Sequence, residues 1–159
     1  MDLMKGKKGL IMGVANERSI AWGISQKLTE AGAELAFTYP ADALKKRVIP
    51  LAEKLNSKVT FSCDVEKKED VTKLFEDVKS QWGEIDFVVH AIAFSDKSEL
   101  SGEYLNTTIE NFLISIRQNF QHHEYQHFFS KKSDPHSIYI KILRLQSQMR
   151  LRFLLVPHL

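Results

Sequence analysis

Residues 9–24 read GLIMGVANERSIAWGI, and this stretch begins as a buried strand and ends as the opening of a helix. The apolar run before Gly13 predicts the strand, and Ser19 can cap the first turn of the helix. Such a unit aims unpaired N–H groups and the positive end of the helix dipole at an anion. Gly13 allows a sharp turn, and Gly23 would let the helix lie close to the sheet. The stretch therefore predicts either a diphosphate-binding turn or a strand–turn–helix unit with a structural role alone.

Three further apolar runs follow at 33–39, 58–63 and 85–90, and segments of helical period separate them. Near-continuous apolar runs are typical of parallel strands that are buried on both faces. We expect helices from Ser19 to Gly32, over 42–55 with a kink or break at Pro50, over 68–82, and from Thr108 onward. This alternation predicts an α/β fold: a Rossmann-like doubly wound parallel sheet that is incomplete, with about four strands.

Two of these strands end in residues that suit a ligand. Asp64 follows the third run, where its carboxylate can accept a hydrogen bond from an adenine amino group or cap the next helix. Residues 90–94 (HAIAF) are mostly small and let a flat ligand approach the backbone, although His90 itself fits a buried, hydrogen-bonded imidazole better than a ligand contact. Because parallel strands end at one edge of a sheet, we expect these residues to lie beside Gly13.

The composition is that of an ordinary globular chain, with 43% hydrophobic and 26% charged residues. The single cysteine, Cys63, excludes an intrachain disulfide and favours a reducing, cytoplasmic location. We expect Cys63 to be a buried core residue. The N-terminus lacks a signal-peptide pattern and no uncharged apolar run has transmembrane length, so we expect no stable membrane insertion.

The composition changes after residue 116. The net charge is −3 over residues 1–116 and +5 over 117–159, and all seven glycines precede residue 117. We assign 1–116 to the N-terminal part of a dinucleotide-binding Rossmann domain and 117–159 to an atypical basic tail that is frameshifted or disordered. Residues 138–156 fit either a strand or a basic amphipathic helix that lies on an anionic membrane surface.

The tail carries no further recognisable site. His123 and His127 would share a helical face beside His122, but without a third ordered ligand we predict no metal site. The modest positive charge comes with no nucleic-acid motif, so we expect no nucleic-acid partner.

Three motifs carry a family resemblance: GVANERSIAWGI from Gly13, CDV from Cys63 and HAIAF from His90. In this order and spacing they resemble the NADH-dependent enoyl-[acyl-carrier-protein] reductases of bacterial fatty-acid synthesis, a branch of the short-chain dehydrogenase/reductase superfamily. The resemblance covers about residues 5–116. It implies a cytoplasmic oxidoreductase that reduces a trans-2-enoyl thioester on acyl carrier protein with NADH, in a family whose members assemble as homotetramers.

The resemblance also implies which residues contact the ligands. Phe94 and Ser95 would border the acyl pocket. The dinucleotide would be contacted at seven positions, which are Gly13, Ser19, Ile20, Pro40, Asp64, Val65 and Ile92. NADH rests on the resemblance alone, because no acidic residue follows the second strand to bind a ribose hydroxyl. Lys45, Lys46 and Arg47 there fit either a 2′-phosphate or a solvated helix face.

The resemblance further implies a catalytic tyrosine with a lysine seven residues later, and no such helix is recognisable after residue 116. The spacing occurs at Tyr39/Lys46 and at Tyr125/Lys132, but neither pair follows a fifth strand. We therefore assign no catalytic residue and expect the chain to be inactive. A silent nucleotide-binding fragment and a membrane-surface protein are the alternatives. Without a fifth strand, residues 85–89 would form an exposed sheet edge that favours association.

Overall fold

A computed structural model describes residues 2–99, 106–120, 138–143 and 152–155 of the chain. The strands are β1 (Lys8–Met12), β2 (Glu34–Tyr39), β3 (Thr60–Ser62), β4 (Phe87–His90), β5 (Ile138–Leu143) and β6 (Arg152–Leu155). The helices are α1 (Ile20–Glu30), α2 (Asp42–Lys54), α3 (Lys68–Gln81) and α4 (Ile109–Phe120). A short 3₁₀ helix covers Lys97–Glu99.

The strands form one sheet in the order β3-β2-β1-β4-β5-β6. The first four strands are all parallel to their neighbours, which confirms the predicted Rossmann-like arrangement. Along the chain the strand order reverses between β1 and β4. In open α/β sheets, ligands bind in the crevice outside the carboxyl ends of the strands at this reversal.

Two more strands extend the sheet beyond β4. β5 pairs in parallel with β4, with Phe87 opposite Ile138, and β6 pairs antiparallel to β5. The expectation that residues 85–89 form an exposed edge is therefore wrong, because β5 occupies that edge. Residues 138–143 and 152–155 are strands, so the alternative of an amphipathic helix is wrong for them.

α4 continues past residue 116 to Phe120, and the proposed domain boundary stays a prediction.

The core lies on both faces of the first four strands, because alternate strand residues point to opposite sides and helices cover both of them. On one face, Leu10 and Met12 of β1 pack with the apolar stripe of α3, which is Val71, Leu74, Phe75 and Val78. On the other face, Ile11 packs with the buried residues of α1 and α2, which include Trp22, Val48 and Leu51. Helices on both faces explain why β1, β2 and β4 are buried at nearly every position instead of at alternate ones.

α1 and α3 end just before the glycines that were predicted to terminate them. Gly32 and Gly83 adopt φ values of +93° and +86°, just beyond the last turns of α1 and α3. Left-handed residues of this kind end a helix at low cost when they are glycine. Of the kink or break expected at Pro50, the break is wrong, since α2 runs through it to Lys54, and the kink stays a prediction. Pro50 is exposed, and its missing N–H leaves the Lys46 carbonyl without its usual intrahelical donor.

Gly23 does not have the predicted packing role. It is exposed, and a Cβ built at this position meets no atom within 4 Å. The buried face of α1 consists instead of Ala21, Trp22 and Ser25, which lie on the opposite side of the helix. The close contact between α1 and the sheet therefore depends on Ala21 and Ser25, whose side chains are small.

Candidate functional site

A cleft of about 710 Å³ opens at the carboxyl ends of β1, β2, β3 and β4. Residues from all four strand ends and from α4 line it, which are Gly13, Val14, Ala15, Thr38, Pro40, Leu44, Cys63, Asp64, Val65, Glu66, Ala91, Ile92, Ala93, Phe94, Ile114 and Arg117. The cleft lies at the reversal of strand order, where an α/β sheet is expected to bind its ligand. It brings together six of the nine predicted site residues: Gly13, Pro40, Asp64, Val65, Ile92 and Phe94.

Gly13 forms the floor of the cleft where β1 ends. Its φ is +105°, and a Cβ at this position would lie 2.3 Å from the Ala91 carbonyl oxygen. The Ala91 N–H donates to the Met12 carbonyl at 3.0 Å, which holds the segment after β4 against β1. Only glycine satisfies both this backbone conformation and this close approach.

The loop between β1 and α1 is organised by Asn16. Its side-chain oxygen accepts from the Arg18 N–H at 2.8 Å. Its carbonyl accepts from the Ser19 N–H at 3.1 Å and from the Ser19 hydroxyl at 2.7 Å. Two of the amides in this turn are therefore already bonded within the loop. This role of Asn16 was not predicted, although asparagine commonly bonds the backbone two residues onward.

Ser19 is the N-cap residue of α1, but its side chain makes no cap hydrogen bond. The predicted capping role of the hydroxyl is thus wrong, because the Asn16 carbonyl engages it. The Ser19 carbonyl accepts from the N–H groups of Trp22 and Gly23. The amides of Ile20 and Ala21 precede these first intrahelical bonds, as the opening amides of a helix do. Ser19 and Ile20 do not line the cleft, and their ligand contacts stay predictions.

Asp64 lies at the β3 end of the cleft. Its carboxylate accepts from the Glu66 N–H at 3.1 Å, and its own N–H donates to the Asp70 carboxylate at 3.1 Å. Lys67 Nζ is 3.7 Å from the other Asp64 oxygen in a largely exposed pair. The residue at the N-cap of α3 is Lys67, so Asp64 shapes the turn before the helix instead of capping it. Val65, which is 4% exposed, lines the cleft beside it.

The segment after β4 is held by Asn111 of α4, a residue that the sequence analysis missed. Asn111 is 3% exposed. Its side chain donates to Ser95 Oγ at 2.9 Å and to the Glu99 carboxylate at 3.1 Å, and it accepts from the Asp96 N–H at 2.9 Å. Thr108 Oγ1 accepts from the Asn111 N–H at 3.2 Å, so Thr108 begins α4 as predicted.

Phe94 and Ser95 therefore have different surroundings. Phe94 lines the cleft with 54% of its surface exposed, and its carbonyl accepts from the Ser115 hydroxyl at 2.8 Å. Ser95 is bonded to Asn111 and does not line the cleft. Its predicted place at an acyl pocket stays a prediction. His90, predicted to be a core residue, is fully buried.

The basic residues after β2 lie mostly outside the cleft. Lys45 Nζ lies 5.8 Å from the centre of the Tyr39 ring, within cation–π range. Lys46 and Arg47 line a separate, shallower depression of about 550 Å³ with Arg18, Pro50 and Lys54, and Ala15 borders both spaces. Glu17 and Lys54 form an exposed ion pair in this depression at 2.5 Å.

Cys63 is buried, as predicted, with 1% of its surface exposed. Burial, with smaller contributions from the Asp70 and Asp64 carboxylates, raises the pKa of the Cys63 thiol to about 12. Since the thiolate is the reactive species, the folded protein should react with a disulfide reagent at pH 8 about a thousandfold more slowly than the unfolded protein. Because the unfolded thiol ionises first, stability should also fall as pH rises above about 8.5.

This prediction is checked by timing thiol modification in native and denaturing buffer. The Cys63→Ala variant gives the rate of the reagent's signal in the absence of any thiol. This variant should also lose less stability than the wild-type chain as the pH rises above about 8.5, because the Cys63 thiol is gone. Equal modification rates in the two buffers would contradict the burial of this thiol.

The described part of the chain shows neither a metal cluster nor a membrane-spanning helix. Within residues 2–99 and the later described segments, no group of three histidine, cysteine, aspartate or glutamate side chains could hold a metal ion. No helix there is long and apolar enough to cross a bilayer. His122, His123 and His127 lie outside the described residues, as does the pair Tyr125/Lys132. Tyr39 and Lys46 do not line the cleft.

Most of the described part of the chain matches one known protein family. Residues 13–122, more than half of the chain, match the family described as enoyl-(acyl carrier protein) reductase. Enoyl-[acyl-carrier-protein] reductase [NADH] 1 of Rhizobium meliloti is 58% identical over 110 residues, which are 69% of this chain and 40% of that protein. The [NADH] FabI of Rickettsia felis is 48% identical over 114 residues, which are 72% of this chain and 44% of that protein. The chain thus spans about two fifths of these curated relatives.

Solved structures agree with the fold. The reductase from Anaplasma phagocytophilum in complex with NAD has a TM-score of 0.73 at 48% identity, over 79% of this chain and 48% of that one. The Bacillus cereus reductase with NADP+ and indole naphthyridinone has a TM-score of 0.74 at 39% identity, over 82% of this chain and 52% of that one.

Proposed function

The chain belongs to the enoyl-(acyl carrier protein) reductase family, and from this we propose that its cleft binds NADH for the reduction of a trans-2-enoyl thioester carried by acyl carrier protein. The observation that carries the proposal is the convergence of Gly13, Asp64 and Ile92 on one cleft. These residues come from the ends of three parallel strands, at the position where an α/β sheet binds a dinucleotide. Relatives named as NADH-dependent support the choice of cofactor.

The residues fit the cofactor in one specific respect. Glycine at position 13 lets the segment after β4 lie directly against the end of β1, because a methyl group there would meet the Ala91 backbone, and this contact brings Ile92 to the same cleft as Gly13. The N-terminus of α1 follows, and its first amides and dipole favour an anion there. We propose that Gly13, Ser19 and Ile20 surround the diphosphate, that Asp64 and Val65 hold the adenine, and that Pro40 and Ile92 face the two riboses.

When bound, NADH supplies the hydride that reduces the carbon–carbon double bond. The described residues would bind and orient it, and Phe94 would border the acyl chain of the substrate with Ser95 behind it. We propose no catalytic residue among them, because the described residues that line the cleft include no tyrosine and lysine of the required spacing. We therefore expect the chain to bind NADH without turnover. This makes it a silent nucleotide-binding member of its family, and the lone Cys63 supports a cytoplasmic location.

The test is a titration of the full chain with NADH, followed by nucleotide fluorescence. We expect saturable binding that free adenosine competes with weakly, and no NADH oxidation on addition of a short enoyl thioester. Steady oxidation would show that the chain is an active reductase and would disprove its silence. An absence of binding would overturn the proposal.

A further inference from the structure

The cleft has an uneven distribution of charge. Among its described lining residues, the acidic side chains are Asp64 and Glu66, which follow β3, and Arg117 is the one cation. Because β1 lies between β3 and β4 in the strand order, the acids lie on the β3 side of Gly13 and Arg117, on the helix that follows β4, lies on the other side. Three strand spacings separate β3 from β4, about 14 Å. A dinucleotide extended across the strand ends would therefore run from acidic to basic surroundings and cross Gly13 on the way.

Arg117 reaches the cleft because α4 is fixed against the segment after β4. Ile114 and Arg117 are three residues apart and lie on the same face of the helix, and both line the cleft. Asn111 and Ser115 bind the neighbouring backbone and side chains after β4, at Ser95, Asp96 and the Phe94 carbonyl. These contacts determine which side of α4 faces the cleft.

We propose that Arg117 is a phosphate-binding residue of this cleft, whose guanidinium donates to the diphosphate of the bound dinucleotide. The inference rests on the proposed function and deepens it. The other described charges that line the cleft are negative and would repel an anion, and the positive charge of Arg117 would offset that repulsion. A guanidinium suits this role because its planar set of N–H donors matches phosphate oxygens. Arg117 is exposed, so its side chain is free to turn toward a ligand.

The experiment compares Arg117→Gln with Lys79→Gln in the full chain. Lys79 is exposed in the last turn of α3 and does not line the cleft, so its variant removes the same charge from a comparable position. Arg117→Gln should weaken binding of NADH and of ADP-ribose about tenfold. Both variants should leave the weak binding of adenosine unchanged, and Arg117→Lys should recover part of the loss. The affinity of the wild-type chain should fall more steeply with salt than that of Arg117→Gln.

Each outcome decides the inference. If Arg117→Gln binds NADH as tightly as the wild-type chain, the inference is wrong and the proposed function stands. If adenosine binding falls by the same factor, Arg117 supports the fold of the cleft and does not contact phosphate, so the inference is again wrong. If Lys79→Gln weakens NADH binding equally, the effect is one of net charge, and the inference fails. If the wild-type chain binds no NADH, the proposed function and the inference fall together.

Discussion

Gly13→Ala should lower the free energy of unfolding by about 3 kcal/mol or more and abolish measurable NADH binding. Two effects combine at this position. Alanine rarely adopts a φ of +105°, and its Cβ would lie 2.3 Å from the Ala91 carbonyl oxygen. That atom belongs to the backbone of the segment after β4, which is hydrogen-bonded to Met12. The segment cannot yield as a flexible side chain can, so the strand ends that form the cleft must separate.

Urea unfolding and nucleotide titration measure the two effects of Gly13→Ala. Gly23→Ala is a matched control, because the change is the same but the new methyl group meets nothing within 4 Å. In the interior of α1 it should stabilise the protein by about 0.5 to 1 kcal/mol. It should leave NADH affinity unchanged. If the two alanine variants were equally stable, the close approach of β1 to the segment after β4 would be wrong.

Gly9→Ala should destabilise the protein by about 2 to 4 kcal/mol through overpacking of the core. Gly9 of β1 lies opposite Phe87 of β4 in the sheet register. A Cβ on Gly9 would come within 2.0 Å of the Phe87 ring, and this ring is only 2% exposed. The missing side chain of Gly9 provides the space that the aromatic ring fills. The ring has no open side toward which it could move.

A second substitution makes this prediction specific. Phe87→Leu alone should cost about 1 to 2 kcal/mol. In the Gly9→Ala background it should restore stability, because the smaller side chain leaves room for the new methyl group. A double-mutant cycle from urea unfolding should therefore give a favourable coupling energy above about 1 kcal/mol. Additive losses would show that Gly9 and Phe87 do not compete for the same space.

The first four strands and their helices were predictable from the sequence because burial on both faces leaves a local signal. Each strand is a short apolar run, and Gly32 and Gly83 mark the ends of helices through their backbone conformation. The cleft followed from the same pattern, since parallel strands end at a common edge. Asp64, Val65 and Ile92 could thus be assigned to it before any contact was known.

The remaining features depend on three-dimensional contacts that the residue pattern does not show. Asn111 is polar and gives no local sign of burial, yet it is buried because the segment after β4 folds over it. Ser19 lost its predicted capping role to a bond with the Asn16 carbonyl, which is available only once the loop has closed. Gly23 was assigned to the wrong side of α1 because sequence spacing does not fix which face of a helix meets the sheet. A strand was one of two alternatives for residues 138–156, but its pairing with β4 was not expected, since β4 lies about 50 residues earlier.

The hydrogen bond from Ser115 to the Phe94 carbonyl links the rim of the cleft to the middle of α4. Asn111 fastens the same helix one turn earlier to Ser95 and Asp96. A molecule that enters the cleft and displaces the backbone at Phe94 must therefore move the helix with it or break these hydrogen bonds. Ligand binding beside Phe94 and the packing of α4 against the segment after β4 are in this way coupled. The hydrogen bonds of Ser115 and Asn111 therefore limit how far the cleft can widen for a ligand.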